Sequence, residues 1–166
     1  MRREDERLLT GRGRYIADLS LPGEVHAAVV RATRAHALVR GIDTAAADGA
    51  LLILTGADPE IAALGRMPWE VAPPAAPASD TPASDMTAPL QPILAGERVR
   101  YLGEPVAFVV ARTAAAARDA AERVIVDYEP LPAVTDVAAA VQPEAARLWP
   151  GFADNVYFHA EKGNAA

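Results

Sequence analysis

The stretch RYLGEPVAFVVA, residues 100–111, joins two apolar runs through a Gly-Glu-Pro corner. Tyr101 and Leu102 precede the corner, and an apolar run from Val106 to Val110 follows it. Continuous runs of this kind are typical of strands that are covered on both faces of a sheet. Glycine permits the backbone conformations that a sharp corner needs, and proline fixes the entry into the next strand. The stretch therefore predicts two strands about a tight corner.

Glu104, the carboxylate at this corner, has two interpretations. It can act as a catalytic acid or base, which is a common role for a carboxylate that a turn presents. It can also accept hydrogen bonds from backbone N–H groups that the corner leaves unpaired. The neighbouring sequence offers neither a partner base nor a metal ligand, and we therefore favour the structural interpretation.

A helix and a strand follow the corner. Thr113 is a suitable N-cap for AAAARDAAERV, residues 114–124, whose one side is charged and whose other side is alanine. An alanine face lets a helix lie close against a sheet. The next segment, VIVDYEPLPAV at 124–134, predicts a strand with a proline-rich exit. Residues 138–166 read as a trailing arm with a further strand at NVYFHA, 155–160.

The first half predicts three more strands and two short helices. The strands are 25–31, an edge or half-buried strand at 37–43, and LLILT at 51–55, which reads as a buried strand. The helices are AAAD at 45–48, capped by Asp43 or Thr44 and stopped by Gly49, and EIAAL at 60–64, between Asp58-Pro59 and Gly65.

Half of the chain's 14 prolines lie between Pro68 and Pro92. Proline removes backbone donors and restricts the residue before it, so residues 68–92 are predicted to be a mobile loop without regular structure. Outside this loop, strands outnumber helices and do not alternate with them. The order predicts an α+β fold, a mixed sheet with helices packed on one side, and not a doubly wound nucleotide fold.

Composition restricts the classes of function. At 166 residues the chain is one domain, or one domain with a tail, and its net charge of −6 disfavours nucleic acid as a partner. The chain has no cysteine, which excludes disulfides, thiolate nucleophiles and cysteine ligands to iron–sulfur clusters within it. With no signal peptide and no apolar run of membrane-spanning length, the expected location is the cytoplasm.

The remaining candidate residues give weak signals. His26, His36 and His159 have spacings that match no zinc site, and we interpret them as structural or surface residues. Gly11-x-Gly13 lacks the preceding strand and following helix of a dinucleotide fingerprint, so a turn is expected there. None of the serines lies in a nucleophile-elbow sequence; these are Ser20, Ser79 and Ser84.

Four segments in order carry a family resemblance: LLTGRGRYIADLSLPGEVHAAVVRATRAHALVRGID at 8–43, ILTGAD at 53–58, PILAGERVRYLGEPVAFVVA at 92–111 and AAAARDAAERVIVDYEPLPAV at 114–134. Together they resemble the α/β hammerhead domain that opens the large, molybdenum-binding subunit of the xanthine dehydrogenase, aldehyde oxidase and carbon monoxide dehydrogenase family. The chain departs from the pattern in a shortened segment before LLILTG and in the long proline-rich loop.

The resemblance implies residues 1–137 as the hammerhead domain, with 138–166 as an arm leading toward a molybdenum-binding portion. Enzymes of this family oxidise small substrates at a molybdopterin centre, and electrons pass through iron–sulfur clusters to FAD on companion subunits or domains. The pterin-binding loops and the catalytic glutamate lie downstream of the hammerhead. The resemblance therefore assigns no catalytic, cofactor-binding or metal-binding residue to this chain.

Three functions are compatible with the sequence. The first is an N-terminal structural and assembly domain whose partners are the molybdenum-binding portion and the iron–sulfur and flavin subunits. The alternative is a free-standing protein-interaction module derived from that domain, with an exposed apolar contact on the arm formed by Trp149, Phe152, Tyr157 and Phe158. A small enzyme that uses Glu104 is the least favoured.

Overall fold

The computed structural model describes residues 5–67 and 91–156. The helices are α1 (Asp5–Leu9), α2 (Pro59–Ala63), α3 (Ala114–Glu122) and α4 (Val137–Ala140), with a single 3-10 turn at Ile16–Asp18. The strands are β1 (His26–Arg31), β2 (Ala37–Asp43), β3 (Ala50–Thr55), β4 (Arg66–Met67), β5 (Gln91–Pro92), β6 (Arg98–Val99), β7 (Pro105–Ala111) and β8 (Ile125–Pro130).

The first sheet has β7 in its centre, between β1 and β3, and both pairings are antiparallel. Helix α3 packs across one face of this sheet. It begins where the Thr113 hydroxyl accepts a hydrogen bond from the backbone N–H of Ala116 at 3.1 Å. The fully buried Ala117 and Ala120 face the sheet, and with no side chain beyond Cβ they allow the helix backbone to approach closely.

The second sheet has β2 in its centre, between β6 and β8, again with antiparallel pairings. Its core joins Val99 and Ala37 to Val106 of β7, all fully buried. Ile42 and Val126 pack against this cluster and also against the cluster beneath α3. These two residues therefore connect the cores of the two sheets.

The α+β class and the packing of the main helix on one side are confirmed. The prediction of a mixed sheet is wrong in its pairing, because every strand pair among the described residues is antiparallel. Parallel neighbours need a crossover connection. The one long helix that the described ranges contain, α3, connects β7 to β8, which belong to different sheets.

Several local predictions are also wrong. Residues 45–48 form turns and not a helix, because the Asp43 carboxylate accepts from Ala45 N–H at 2.9 Å and so short a segment does not nucleate a helix. Strand β2 is central, so the edge alternative is wrong, whereas the half-buried alternative is confirmed. The β3 segment lies at a sheet edge, and Leu51 and Leu52 are about half exposed, 51% and 48%. Residues 5–9, before the turn at Gly11, form the short helix α1.

The predicted loop at 68–92 is corrected at its end. Residues 91–92 form β5, which pairs with β4 at residues 66–67, so the two ends of the excursion lie side by side. Residues 68–90, for which mobility is predicted, lie outside the described residues, as does most of the strand predicted at 155–160.

Candidate functional site

The corner at Glu104 is held by the end of strand β1. Gly103 has a φ of +88°, a backbone conformation that residues other than glycine rarely adopt. Its N–H donates to the carbonyl of Ala32, and the N–H of Ala32 donates to the carbonyl of Glu104, both at 2.8 Å. The Arg31 guanidinium donates to the carbonyl of Gly103 at 2.9 Å. The β1–β7 hydrogen-bonding pattern thus continues around the corner.

The Glu104 side chain points into the protein, and the residue is only 4% exposed. One carboxylate oxygen accepts from the backbone N–H of Arg100, and the other lies 3.8 Å from the Arg100 guanidinium. Burial raises the pKa of Glu104, although the hydrogen bond and charge of Arg100 and a backbone hydrogen bond from Tyr101 act against it. This environment supports the structural interpretation, because the carboxylate engages groups of its own corner.

Arg100 extends this corner to the C-terminal arm. Its guanidinium carbon lies 3.6 Å from the centroid of the Trp149 ring, a cation–π contact, and its Nη1 also donates to the carbonyl of Arg98 at 3.1 Å. Residues far apart in the sequence are therefore joined in one chain of contacts, Glu104–Arg100–Trp149. The sequence showed an apolar Trp149 but gave no signal that a cation would lie on it.

The arm itself is folded over its described part. The Asp136 carboxylate caps α4 by accepting from Ala139 N–H at 2.7 Å. The Asn155 amide accepts from Leu148 N–H and donates to the carbonyls of Ala140 and Ala146, each at 3.1 Å. Asparagine can satisfy several backbone groups at once because it carries both donors and an acceptor.

The predicted exposed apolar contact on the arm is wrong for two of its residues. Trp149 and Phe152 are both half-buried, and the face of Trp149 is covered by Arg100. The other two members, Tyr157 and Phe158, lie outside the described residues. The interaction-module hypothesis therefore loses the exposed contact that it assigns to Trp149 and Phe152.

His36 is a buried polar residue whose role the sequence did not reveal. It is 4% exposed, with Nδ1 at 2.6 Å from the carbonyl of Pro132 and Nε2 at 3.0 Å from the Arg98 guanidinium. Arginine only donates, so Nε2 accepts and Nδ1 carries the proton that is donated to Pro132. His36 thus fixes the proline-rich exit of β8 against the second sheet, in agreement with a structural histidine.

The other candidates are not brought together. His26 lies at the start of β1, 3.7 Å from Glu24, and His159 is outside the described residues. Gly11, with a φ of +69°, forms the expected turn after α1. Ser20 is exposed in an irregular segment, and Ser79 and Ser84 are also outside the described ranges. In residues 5–67 and 91–156, no three His, Cys, Asp or Glu side chains are grouped as metal ligands.

Comparison with known proteins identifies the architecture. Residues 10–132 match the model of the aldehyde oxidase and xanthine dehydrogenase α/β hammerhead domain. The chain belongs to this family. The chain is 41% identical over 144 residues to the nicotine 6-hydroxylase large subunit of Paenarthrobacter nicotinovorans, covering 85% of this chain and 16% of that protein. It is 39% identical over 148 residues to the carbon monoxide dehydrogenase large chain of Afipia carboxidovorans, covering 87% and 16%.

A solved structure shows the same arrangement. The crystal structure of quinoline 2-oxidoreductase from Pseudomonas putida 86 superposes with a TM-score of 0.77 at 42% identity, covering 95% of this chain and 19% of that one. The hammerhead chain thus spans about a sixth of the curated relatives, 16% in each of the two above. Those relatives are large subunits or chains of multi-subunit oxidoreductases. In the part of the chain that the structure describes, no helix is long and apolar enough to cross a bilayer.

Proposed function

We propose that this chain is the N-terminal structural and assembly domain of a molybdenum hydroxylase large subunit. One observation carries the proposal: the hammerhead match extends over residues 10–132, while the chain spans only 16% of its curated relatives. The chemistry then belongs to the much larger remainder of such a subunit. We assign residues 1–137 to the hammerhead and 138–166 to an arm that leads toward that remainder.

The donor groups of this chain do not fit the cofactors that the family implies. Iron–sulfur clusters are held by cysteine thiolates, and the chain has none. The two buried polar side chains among the described residues, His36 and Glu104, are both engaged by groups of the same chain. The Gly11 turn follows a short helix and not a strand, so it is not the phosphate-binding turn of a dinucleotide fold.

We therefore place the molybdopterin-type cofactor in the remaining portion of the large subunit, and iron–sulfur clusters and FAD on companion subunits or domains. No residue of this chain is assigned to catalysis or to cofactor or metal binding. The cytoplasm is the expected location of such an assembly. Its substrate is determined outside the hammerhead.

Co-expression tests this function. The tagged 166-residue chain is co-expressed with the remainder of a large subunit and its companion subunits, and the captured complex is assayed for molybdenum, iron and flavin. We expect the cofactors in the complex and none in stoichiometric amount on the chain alone. Capture of no cofactor-bearing subunit, or stoichiometric molybdenum or flavin on the chain alone, contradicts the proposal.

A further inference from the structure

The face of the first sheet that lies opposite α3 is apolar in two adjacent rows. The antiparallel register places Val29, Phe108 and Leu54 directly opposite one another, and Ala27, Val110 and Leu52 in the next row. Directly paired residues of antiparallel strands lie on the same face of a sheet, and alternate residues of a strand share that face. We call these six residues the open face.

The α3 side of the same sheet differs clearly in burial. There Val109 is fully buried beneath Ala120 of the helix, and Val30 and Ile53 pack against the same cluster. On the open face, Leu52 is 48% and Val29 37% exposed, and Phe108 is only half-buried. Among the described residues, neither of the two core clusters includes a member of the open face.

The sequence of β7 indicates that both faces of this sheet are covered in the assembled protein. A strand with one face in water normally alternates apolar and polar residues, whereas a strand covered on both faces is continuously apolar. Residues 105–111 contain no polar side chain. The open face itself carries no charge, and a contiguous apolar surface of this kind marks a contact with another protein surface.

The length of the missing protein indicates what covers the open face. The chain spans 16–19% of its relatives, so more than four-fifths of a complete large subunit is absent from this structure. An uncharged face is suited to a permanent contact within a subunit, because obligate interfaces resemble a hydrophobic core that has been divided in two.

We propose that the open face is the docking surface for the remainder of the same large subunit, which covers it with an apolar surface of its own. This inference rests on the proposed function and adds the location of the contact. Leu52 and Val29 lie on the two outer strands of the face, and their exposed side chains become buried on docking.

Single-cysteine labelling tests the proposal, since the chain contains no cysteine of its own. Leu52→Cys is introduced into the isolated 166-residue chain and into a chimeric nicotine 6-hydroxylase in which this chain replaces the matching stretch of the large subunit. Maleimide labelling at position 52 is followed by peptide mass mapping. Val29→Cys repeats the measurement on the opposite strand, and Ile125→Cys, 63% exposed on β8 of the other sheet, is the matched control.

We expect labelling at positions 52 and 29 to be at least about tenfold slower in the assembled chimera than in the isolated chain, because a covered thiol reacts only through local opening. Position 125 should be slowed far less. An assembled chimera that labels position 52 at the rate of the isolated chain overturns this proposal and leaves the proposed function intact.

Three other outcomes also count against the docking surface. If the isolated chain dimerises at micromolar concentration and position 52 is protected in that dimer, the occupant is a second copy. If the chimera does not assemble with its companion subunits, the proposed function fails, and the docking proposal fails with it. Equal protection at positions 52 and 125 contradicts the assignment of docking to the open face.

Discussion

Glu104 shows how a single carboxylate can determine the form of a strand corner. Its oxygens face the backbone N–H and the guanidinium of Arg100, while its own backbone carbonyl accepts from Ala32. Removal of the carboxylate leaves the buried donors of Arg100 without this acceptor. An unsatisfied buried partner of a charged group generally costs more than the net gain from the original hydrogen bond.

Substitution at Glu104 should therefore follow an order. Glu104→Ala is expected to lower the free energy of unfolding by about 1–3 kcal/mol, because it removes both acceptor oxygens from a buried donor. Glu104→Gln keeps the shape and one acceptor oxygen and should cost less. Urea denaturation of the parent and both variants checks the order. An alanine variant as stable as the parent would show that the Glu104 side chain does not stabilise the corner.

The raised pKa of Glu104 predicts a pH dependence whose sign is fixed. Burial penalises the ionised form, so the folded protein holds the proton more tightly than the unfolded chain, where the pKa is near its ordinary value of 4.5. Stability contributed by this group is reduced at neutral pH and increases as the pH falls through the raised pKa. Glu104→Gln does not titrate and lacks this gain.

Paired urea titrations from about pH 7 to about pH 4, below the unfolded pKa of 4.5, isolate this effect, because other groups titrate alike in both proteins and cancel in the difference. The stability of the parent relative to Glu104→Gln should rise as the pH falls. A difference that stays constant, or that changes in the opposite direction, would mean that the pKa of Glu104 is not raised in the folded state.

At the scale of elements, the features that depend on residues close together in the sequence could be predicted, and those that depend on distant residues could not. Helix α3 could be predicted because its cap, Thr113, and its alanine face are adjacent in the sequence. Strand β7 could be predicted from its apolar run. The central position of β2 could not, because its partners β6 and β8 lie more than 50 residues away along the chain. His36 was undetermined for the same reason, since Pro132 and Arg98 are distant in sequence.

The crossing of two segments at Gly56 gives an element-scale prediction. A Cβ at Gly56 would lie 2.5 Å from the backbone carbonyl oxygen of Ala95, whereas a Cβ at Gly41 in β2 would meet no atom within 4 Å. Gly56→Ala should destabilise by about 1–3 kcal/mol, because one of the two backbones must move. Gly41→Ala, the matched control, should have a much smaller effect.

Thermal or urea denaturation of these two glycine variants is sufficient to check the crossing. The expected result is a lowered midpoint for Gly56→Ala alone. Equal midpoints for the two variants would mean that the segments around residues 56 and 95 do not approach one another as closely as the structure shows.

At the scale of the whole molecule, the hammerhead and its arm are joined through the contact of Arg100 with Trp149. If the arm leads toward the rest of a large subunit, as we propose, its attachment sets the direction in which the chain leaves the domain. The sequence predicted the arm but not its attachment, because neither Arg100 nor Trp149 has a local signal for the other. The open face could not be predicted from the sequence either, since it depends on the register of three strands.

Loss of the Arg100 contact should release Trp149 to solvent. The chain has two tryptophans, so Trp69→Phe leaves Trp149 as the single reporter of fluorescence. In that background Arg100→Met should shift Trp149 emission to the red and weaken attachment of the arm by about 0.5–2 kcal/mol, the usual range for a cation–π contact.

Arg147→Met, a nearby exposed arginine of the arm, is the control and should leave the emission unchanged. Chymotrypsin cleavage after Phe152, which lies three residues further along the same arm, provides a second measurement, since a released arm is cut faster. If Arg100→Met changes neither the emission nor the cleavage rate, then other contacts, such as those of Asn155, hold the arm in place and Arg100 serves the Glu104 corner alone.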